Sequence, residues 1–275
     1  MSNPPAALDA ASSFPGPQLP PALEALLDRV AERQRGDFGH MASRAKPDGS
    51  LITACDQWSD ATLVEGLAAL FPGEGVLSEE GDQCLPGTPS YWVVDPLDGT
   101  TNFAAGIPYW AISLARFQNG QPVLAILDVP PLRQRIVAVR GQGAWRNGKP
   151  LRPPSLQTHP VGCASLCSRS IGVLQKLPNR RFPGKIRLLG VASLNLVSVA
   201  MGQTVAALEA TPKIWDLAAS WLVLHELECP LRWLRHSPEA LLPGSDLSST
   251  DFPVLVADRD ATLERFMPWA QALVD

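Results

Sequence analysis

The chain has no run approaching the roughly 18 consecutive apolar residues that a membrane-spanning helix needs, so no role within a bilayer is expected. It also lacks a basic surplus. Its 23 Lys and Arg are outnumbered by 27 Asp and Glu, a formal net charge of -4, and nothing supports a nucleic-acid-binding surface, which depends on a basic patch. Cysteine is sparse: Cys55, Cys84, Cys163, Cys167 and Cys229 are odd in number and scattered. Only Cys163 and Cys167 lie close together, and without a second pair or a nearby histidine they make a weak zinc candidate. Buried, reduced thiols in a cytoplasmic protein are the simpler reading. Residues 1–20 lack the basic start and apolar segment of a signal peptide and read as a flexible lead-in.

What is present is an ordinary globular composition, 45% hydrophobic and 18% charged over 275 residues, enough for one large domain or two modest ones. Leu23, Leu26, Leu27 and Val30 recur at helical spacing and predict a helix from about Pro21. Leu63, Val64, Leu67 and Leu70 predict a second, ended by Phe71-Pro72-Gly73. Residues 111–117, 123–129 and 135–140 read as strands, with Asn119-Gly120 and Asn147-Gly148 as hairpin turns. The proline-rich residues 150–160 mark the expected boundary between an N-terminal half, 21–150, and a C-terminal half, 151–275. In the latter, strands at 161–167, 205–209 and 254–257 alternate with helices at 192–202, 215–228 and 261–274, the pattern of an α/β layer.

The most informative run is 91–103. The strand-like Tyr91-Trp92-Val93-Val94 delivers Asp95 and Asp98 onto a turn fixed by Pro96 and Gly99, and the hydroxyls of Thr100 and Thr101 follow. Carboxylates this close repel one another unless a cation lies between them, and hard divalent ions such as Mg²⁺ prefer oxygen ligands. Three other places set an acid beside a structural break: Asp56 at a strand end and helix start, Glu79-Glu80 after a short apolar run, and Asp216 heading an apolar helix. Singly, Asp56 and Asp216 could be helix caps and Glu79-Glu80 a solvated turn. Jointly they can converge on one crevice, because strand ends and helix starts gather at one edge of an α/β layer. A haloacid-dehalogenase signature needs one residue between its aspartates, where Asp95 and Asp98 have two. The ligand spacing of a helix–loop–helix Ca²⁺ site is missing as well.

Asp56, Ser78-Glu79-Glu80, Asp95-Pro96-Leu97-Asp98-Gly99-Thr100-Thr101-Asn102-Phe103 and Trp215-Asp216-Leu217-Ala218-Ala219, in this order, resemble the inositol monophosphatase superfamily of Mg²⁺-dependent, often lithium-sensitive phosphatases. Lys46-Pro47-Asp48-Gly49-Ser50, Gly106-Ile107-Pro108 and Gly141-Gln142-Gly143-Ala144-Trp145 extend the resemblance. It implies an α/β (α+β) fold, the layered αβαβα sandwich of the inositol monophosphatase and fructose-1,6-bisphosphatase type. It further implies a small phosphate monoester as substrate, a homodimer, and two or three Mg²⁺ ions. By resemblance, Glu79, Asp95 and the Leu97 carbonyl bind a first Mg²⁺; Asp95, Asp98 and Asp216 bind a second; and Glu79 shares in a third. Asp56 and Thr100 would orient and deprotonate the attacking water, and the N–H groups of Gly99 and Thr100 would hold phosphate oxygens. Glycine at position 99 would let the backbone approach the phosphate. Glu80 is either support for a metal-bound water or a solvated neighbour.

For the alcohol, the resemblance points to Asp98, Ala192 and Glu209, the last matching an acid that contacts inositol hydroxyls. Val191 departs from the Ser or Thr common at that place. The basic residues Arg169, Lys176, Arg180, Arg181 and Lys185 are either a solvated loop or a holder for a second phosphate. The expected substrate is inositol 1-phosphate, with histidinol phosphate, fructose 1,6-bisphosphate and 3′-phosphoadenosine 5′-phosphate as alternatives. A non-catalytic scaffold of the same fold is the other class, and the intact acidic set argues against it.

Overall fold

The computed structural model describes residues 18–40, 42–46, 49, 51–154 and 162–275. In chain order its elements are α1 (Pro21–Asp37), β1 (Ser43–Ala45), β2 (Leu51–Thr53), α2 (Ala54–Leu70), β3 (Gly75–Ser78), β4 (Ser90–Asp98) and α3 (Thr100–Ala104). Next come β5 (Ala111–Gln118), β6 (Gln121–Val129), β7 (Gln134–Val139), β8 (Gly143–Arg146) and β9 (Lys149–Pro150). The C-terminal half holds β10 (Cys163–Leu166), α4 (Val173–Lys176), β11 (Lys185–Arg187), α5 (Ala192–Ala200), β12 (Ala206–Glu209) and α6 (Ile214–Glu226). β13 (Leu231–Trp233), β14 (Val254–Ala257) and α7 (Asp260–Val274) complete it.

The larger sheet has the order β3-β4-β5-β6-β7-β8-β9. It is antiparallel except for the parallel pair β3–β4. Its β5–β6 hairpin turns at Asn119-Gly120, with φ of 51° and 76°, the double left-handed geometry that Asn-Gly favours. The smaller sheet has the order β11-β10-β12-β14-β13. The apolar clusters define the layers. Leu23, Leu27 and Val30 of α1 pack with Leu63 and Leu67 of α2 against Trp92 and Val94 on one face of the larger sheet. Its other face, with Tyr91, Val93 and Leu127, meets α5 and α6, which also cover Ala207 and Val256 of the smaller sheet. Leu208 and Leu255 on that sheet's far face lie under Phe266 and Trp269 of α7. The stack is therefore the expected αβαβα sandwich. Ten of the thirteen residues of α6 are buried, as a helix pressed between two sheets requires.

Two features differ from the sequence reading. Asp95 and Asp98 are not beyond the strand: β4 runs on to Asp98, with Asp95 paired to Ser113, Asp98 paired to Ala111 and a register shift between them. Pro96 has no N–H for the ladder, so a bulge is how a central strand accommodates it. The short strands β1 and β11 carry no apolar alternation, their residues being exposed or half-buried, and periodicity could not reveal them. The lead-in up to residue 17, residues 155–160 of the expected boundary and residue 161 of the expected strand fall outside the described residues.

Candidate active site

Alternation along β4 sends Trp92 and Val94 toward α1 and α2, and Tyr91 and Val93 toward α5 and α6. Asp95 continues the second series. The Leu97 N–H donates to Asp95 Oδ1 at 2.9 Å, while the buried Oδ2 has no hydrogen-bond partner. The bulge is braced from behind by Gln34 of α1, which is fully buried. Its amide donates to the Pro96 carbonyl at 2.8 Å and to Ser59 at 3.2 Å, and its oxygen accepts from the Trp110 indole at 3.0 Å.

Asp216 arrives from α6. It occupies the third helical position, where its Oδ2 accepts the Lys213 N–H at 2.8 Å, and Ser113 of β5 fastens the adjacent turn by donating to the Trp215 carbonyl at 3.2 Å. Glu79 follows β3, its N–H donating to the Val94 carbonyl at 3.1 Å. One carboxylate oxygen from each of Glu79, Asp95 and Asp216 lies within 4.8 Å of the others. Lys46 donates to Glu79 at 2.9 Å and also to Glu80. Burial, reinforced by the charge of Glu79, holds Asp95 well above the usual carboxylate range, and burial with Asp98 does the same for Asp216. Burial and its neighbour Glu79 push Glu80 up to about 7. An orphaned carboxylate oxygen inside an all-oxygen cluster of mutually repelling acids is a donor set that fits a hard divalent cation.

Asp56 is outside that trio. It sits at the third position of α2, its Oδ2 accepting from the Thr53 N–H at 2.8 Å and from the Thr53 hydroxyl. Its Oδ1 accepts from the Thr100 hydroxyl at 2.7 Å. The capping box and the bond from Thr100 thus share one side chain, with Thr53 as the cap. Thr100 also lies 3.1 Å from the Leu97 carbonyl. Leu97 buries its side chain with Cys55, Phe103 and Trp110, so its carbonyl is what it offers the cleft. Gly99 has φ of 104°, and a Cβ there would meet Val191 Cγ2 at 2.9 Å and Trp110 Cβ at 3.3 Å. The glycine is required by its left-handed backbone and by core packing. Val191 is likewise a core residue, fully buried.

Asp98 turns toward α5, accepting the N–H groups of Ala192 at 3.3 Å and Ser193 at 2.7 Å. Burial pushes it up to about 6, against the pull of the Ser193 hydrogen bonds. Glu209, at the end of β12, accepts from the Asn195 amide at 2.8 Å. Burial raises Glu209 to about 8, against the Asn195 bond and with help from Asp98. Asp98, Ala192, Glu209 and Asp216 line a cavity of about 300 Å³, and Lys46, Glu79, Glu80 and Asp216 line a neighbouring one of about 670 Å³. The basic stretch divides. Arg169 lines both cavities, whereas Lys176 donates to the Ala272 carbonyl at 2.8 Å and Arg180 lies over the Trp269 ring, both on the α7 side. Among the described residues no other group of three potential metal ligands converges, the Cys163–Cys167 pair included.

Glu209 has a consequence for stability. A carboxyl near 4.5 in the unfolded chain and about 8 in the fold contributes stability that is full below the lower value and is lost as pH rises through the upper one. The thermal midpoint of metal-free protein should therefore fall between those pH values, and Glu209→Gln should flatten the fall. A slope unchanged by that substitution, measured by calorimetry, would assign it to the other acids alone.

Gln34, Lys46 and Asn195 are supporting residues that motif reading left without roles. Gln34 had a signal, since it continues the series Leu23, Leu27, Val30 as a polar residue on an apolar stripe. Lys46 stood within a quoted motif. Asn195 had none beyond its place in an apolar helix.

The five-layered fold is one shared by a class of phosphatases. Within that class the chain belongs to the inositol monophosphatase family, whose sequence profile matches residues 21–249. It is 34% identical over 216 residues to a histidinol-phosphatase of Mycobacterium tuberculosis, covering 74% of this chain and 82% of the relative. It is 29% identical over 206 residues to a fructose-1,6-bisphosphatase/inositol-1-monophosphatase of Thermotoga maritima, covering 73% and 79%. Among solved structures, an IMPase/NADP phosphatase complexed with NADP and Ca²⁺ is 26% identical, with a TM-score of 0.73 over 88% of this chain and 92% of that one.

Proposed function

We propose that the chain is a Mg²⁺-dependent phosphomonoesterase acting on a small phosphorylated metabolite, with inositol 1-phosphate as the leading substrate. The observation that carries this reading is the convergence of Glu79, Asp95 and Asp216 within 4.8 Å, with one Asp95 oxygen left unpartnered. Glu79, Asp95 and the Leu97 carbonyl would hold one ion, Asp95, Asp98 and Asp216 a second, and Glu79 would share a third. Divalent cations held there would neutralise phosphate charge and acidify water. Thr100 donates its proton to Asp56, which leaves its oxygen lone pairs to accept from the attacking water and makes the pair a path for that proton. The N–H groups of Gly99 and Thr100 would orient the phosphate oxygens. Asp98, Ala192 and Glu209 would bind the alcohol. Family resemblance extends the proposal to lithium sensitivity, a homodimer and the cytoplasm.

Histidinol phosphate is a second reading, favoured by the Mycobacterium tuberculosis relative and by two acids, Asp98 and Glu209, in the alcohol-side cavity, where an ammonium group would find partners. The test is a phosphate-release panel of inositol 1-phosphate, histidinol phosphate, fructose 1,6-bisphosphate and 3′-phosphoadenosine 5′-phosphate, with and without Mg²⁺, and repeated with LiCl. Release should require Mg²⁺. Protein inert toward every member would favour the non-catalytic scaffold.

A further inference from the structure

We propose that a pocket between α1 and the start of β7 binds a phosphate oxyanion, as inorganic phosphate or as the phosphate of a small metabolite, at a site separate from the candidate active site. The pocket has a volume of about 220 Å³, and its walls include Asp28 and Arg35 of α1, Asp128 of β6, Arg133 and Arg135 beside the first residue of β7, and Asn147. It shares no lining residue with either cavity at the acidic cluster. Arg135 is engaged: its Nε donates to the buried Asp128 at 2.9 Å and its Nη2 to Asp28 at 2.7 Å. Arg35 and Arg133 are not. Among the described residues neither guanidinium has a hydrogen bond or an ion pair, and Arg35 acts on Asp128 only through its charge. Three guanidinium groups facing two carboxylates leave the pocket one positive charge in surplus.

Exposed arginines are common, and what distinguishes this pair is how Arg133 is held. Pro130–Leu132 is a single 3₁₀ turn, and Arg133 closes it in the left-handed region, with φ of 50° and ψ of 44°. Glycine would occupy that backbone without steric cost, and arginine does not. Asn147 clamps the turn from across the hairpin. Its Nδ2 donates to the Arg133 carbonyl at 3.1 Å, and its Oδ1 accepts the Arg135 N–H at 2.7 Å. A strained conformation that its surroundings over-determine points to a function for the residue held in it. Here the residue is one whose planar fork of N–H donors matches two oxygens of a phosphate. Both carboxylates of the pocket already face Arg135, so their repulsion of an anion is offset. The Arg133 backbone is fixed while its side chain stays exposed, so little of the main chain remains to be ordered on binding.

The test is calorimetric titration in EDTA, where the acidic cluster has no cation and repels an anion. Inorganic phosphate and glycerol 2-phosphate are the probes, with ionic strength matched by KCl because such binding is screened by salt. Wild-type protein should bind one equivalent per chain, and the tighter of the two probes identifies the source of the phosphate. Arg133→Gly should weaken that binding roughly tenfold or more, the scale for loss of a hydrogen bond to a charged group. The same variant should keep or raise the thermal midpoint, because glycine fits the left-handed backbone, so loss of binding will not reflect loss of the fold. Arg35→Ala should weaken binding by a similar factor, and Arg133→Lys should retain part of it, as a point charge without the fork. Saturable binding unchanged in both Arg133→Gly and Arg35→Ala would place the anion elsewhere and overturn the proposal. So would wild-type protein that binds neither probe at millimolar concentration. None of these readouts involves turnover, so the phosphatase reading stands or falls separately, by the substrate panel.

Discussion

Asp95→Asn should reduce Mg²⁺-dependent phosphate release by roughly a thousandfold or more, the scale set by several kcal/mol of lost charge stabilisation, and should raise the stability of the metal-free protein. Both effects have one cause. Asp95 is the acid common to both proposed ion sites, and its Oδ2 is buried without a partner beside Glu79 and Asp216. An asparagine keeps the Oδ1 acceptor for the Leu97 N–H, which lies at 2.9 Å, so the bulge persists. It removes one of three repelling charges, which is why the midpoint should rise while the activity falls, the usual exchange at a strained site. Phosphate release and a thermal melt in EDTA measure the two arms. A variant that retained more than about a tenth of the activity, a loss of only ~1.4 kcal/mol, would remove Asp95 from the chemistry.

Much of this site is legible in the sequence because its chemistry is concentrated in short runs. Asp95-x-x-Asp98, Glu79-Glu80 and Trp215-Asp216 announce themselves by placing acids against apolar segments, where a bare charge is costly. The layer order is legible for a similar reason: α6 is apolar on nearly every face, a pattern only a helix covered on both sides can sustain. Side-chain direction was not legible. Nothing in Asp56 or Asp98 says that one would bond Thr100 and the other reach toward the start of α5, since those partners are 44 and 94 residues away in the chain. The packing constraint on Gly99 was hidden for the same cause. The neighbour that excludes a Cβ is Val191, and no local pattern links the two. Gln34 lies between these cases: its misplaced polarity could be seen in α1, but its service to Pro96, 62 residues on, could not.

Removing divalent metal should abolish activity and lower the thermal midpoint, and Mg²⁺ should restore both, with a larger gain in midpoint at pH 8 than at pH 6. The sign follows from the acids themselves. Burial and mutual charge raise Asp95, Asp216 and Glu80, the last to about 7, so without a cation the fold is more stable when they hold protons and loses stability as pH rises through their folded values. A bound cation takes the place of those protons, and because its ligands must be deprotonated its affinity increases over the same range. The gain is set by mass action, about 2.7 kcal/mol at a hundredfold excess over the dissociation constant. Asp95→Asn should shrink it, because that variant has already lost part of the repulsion the cation relieves. A midpoint indifferent to EDTA and Mg²⁺ at both pH values would leave the three acids without a cation to hold, and the scaffold reading would then account for the fold better than catalysis does.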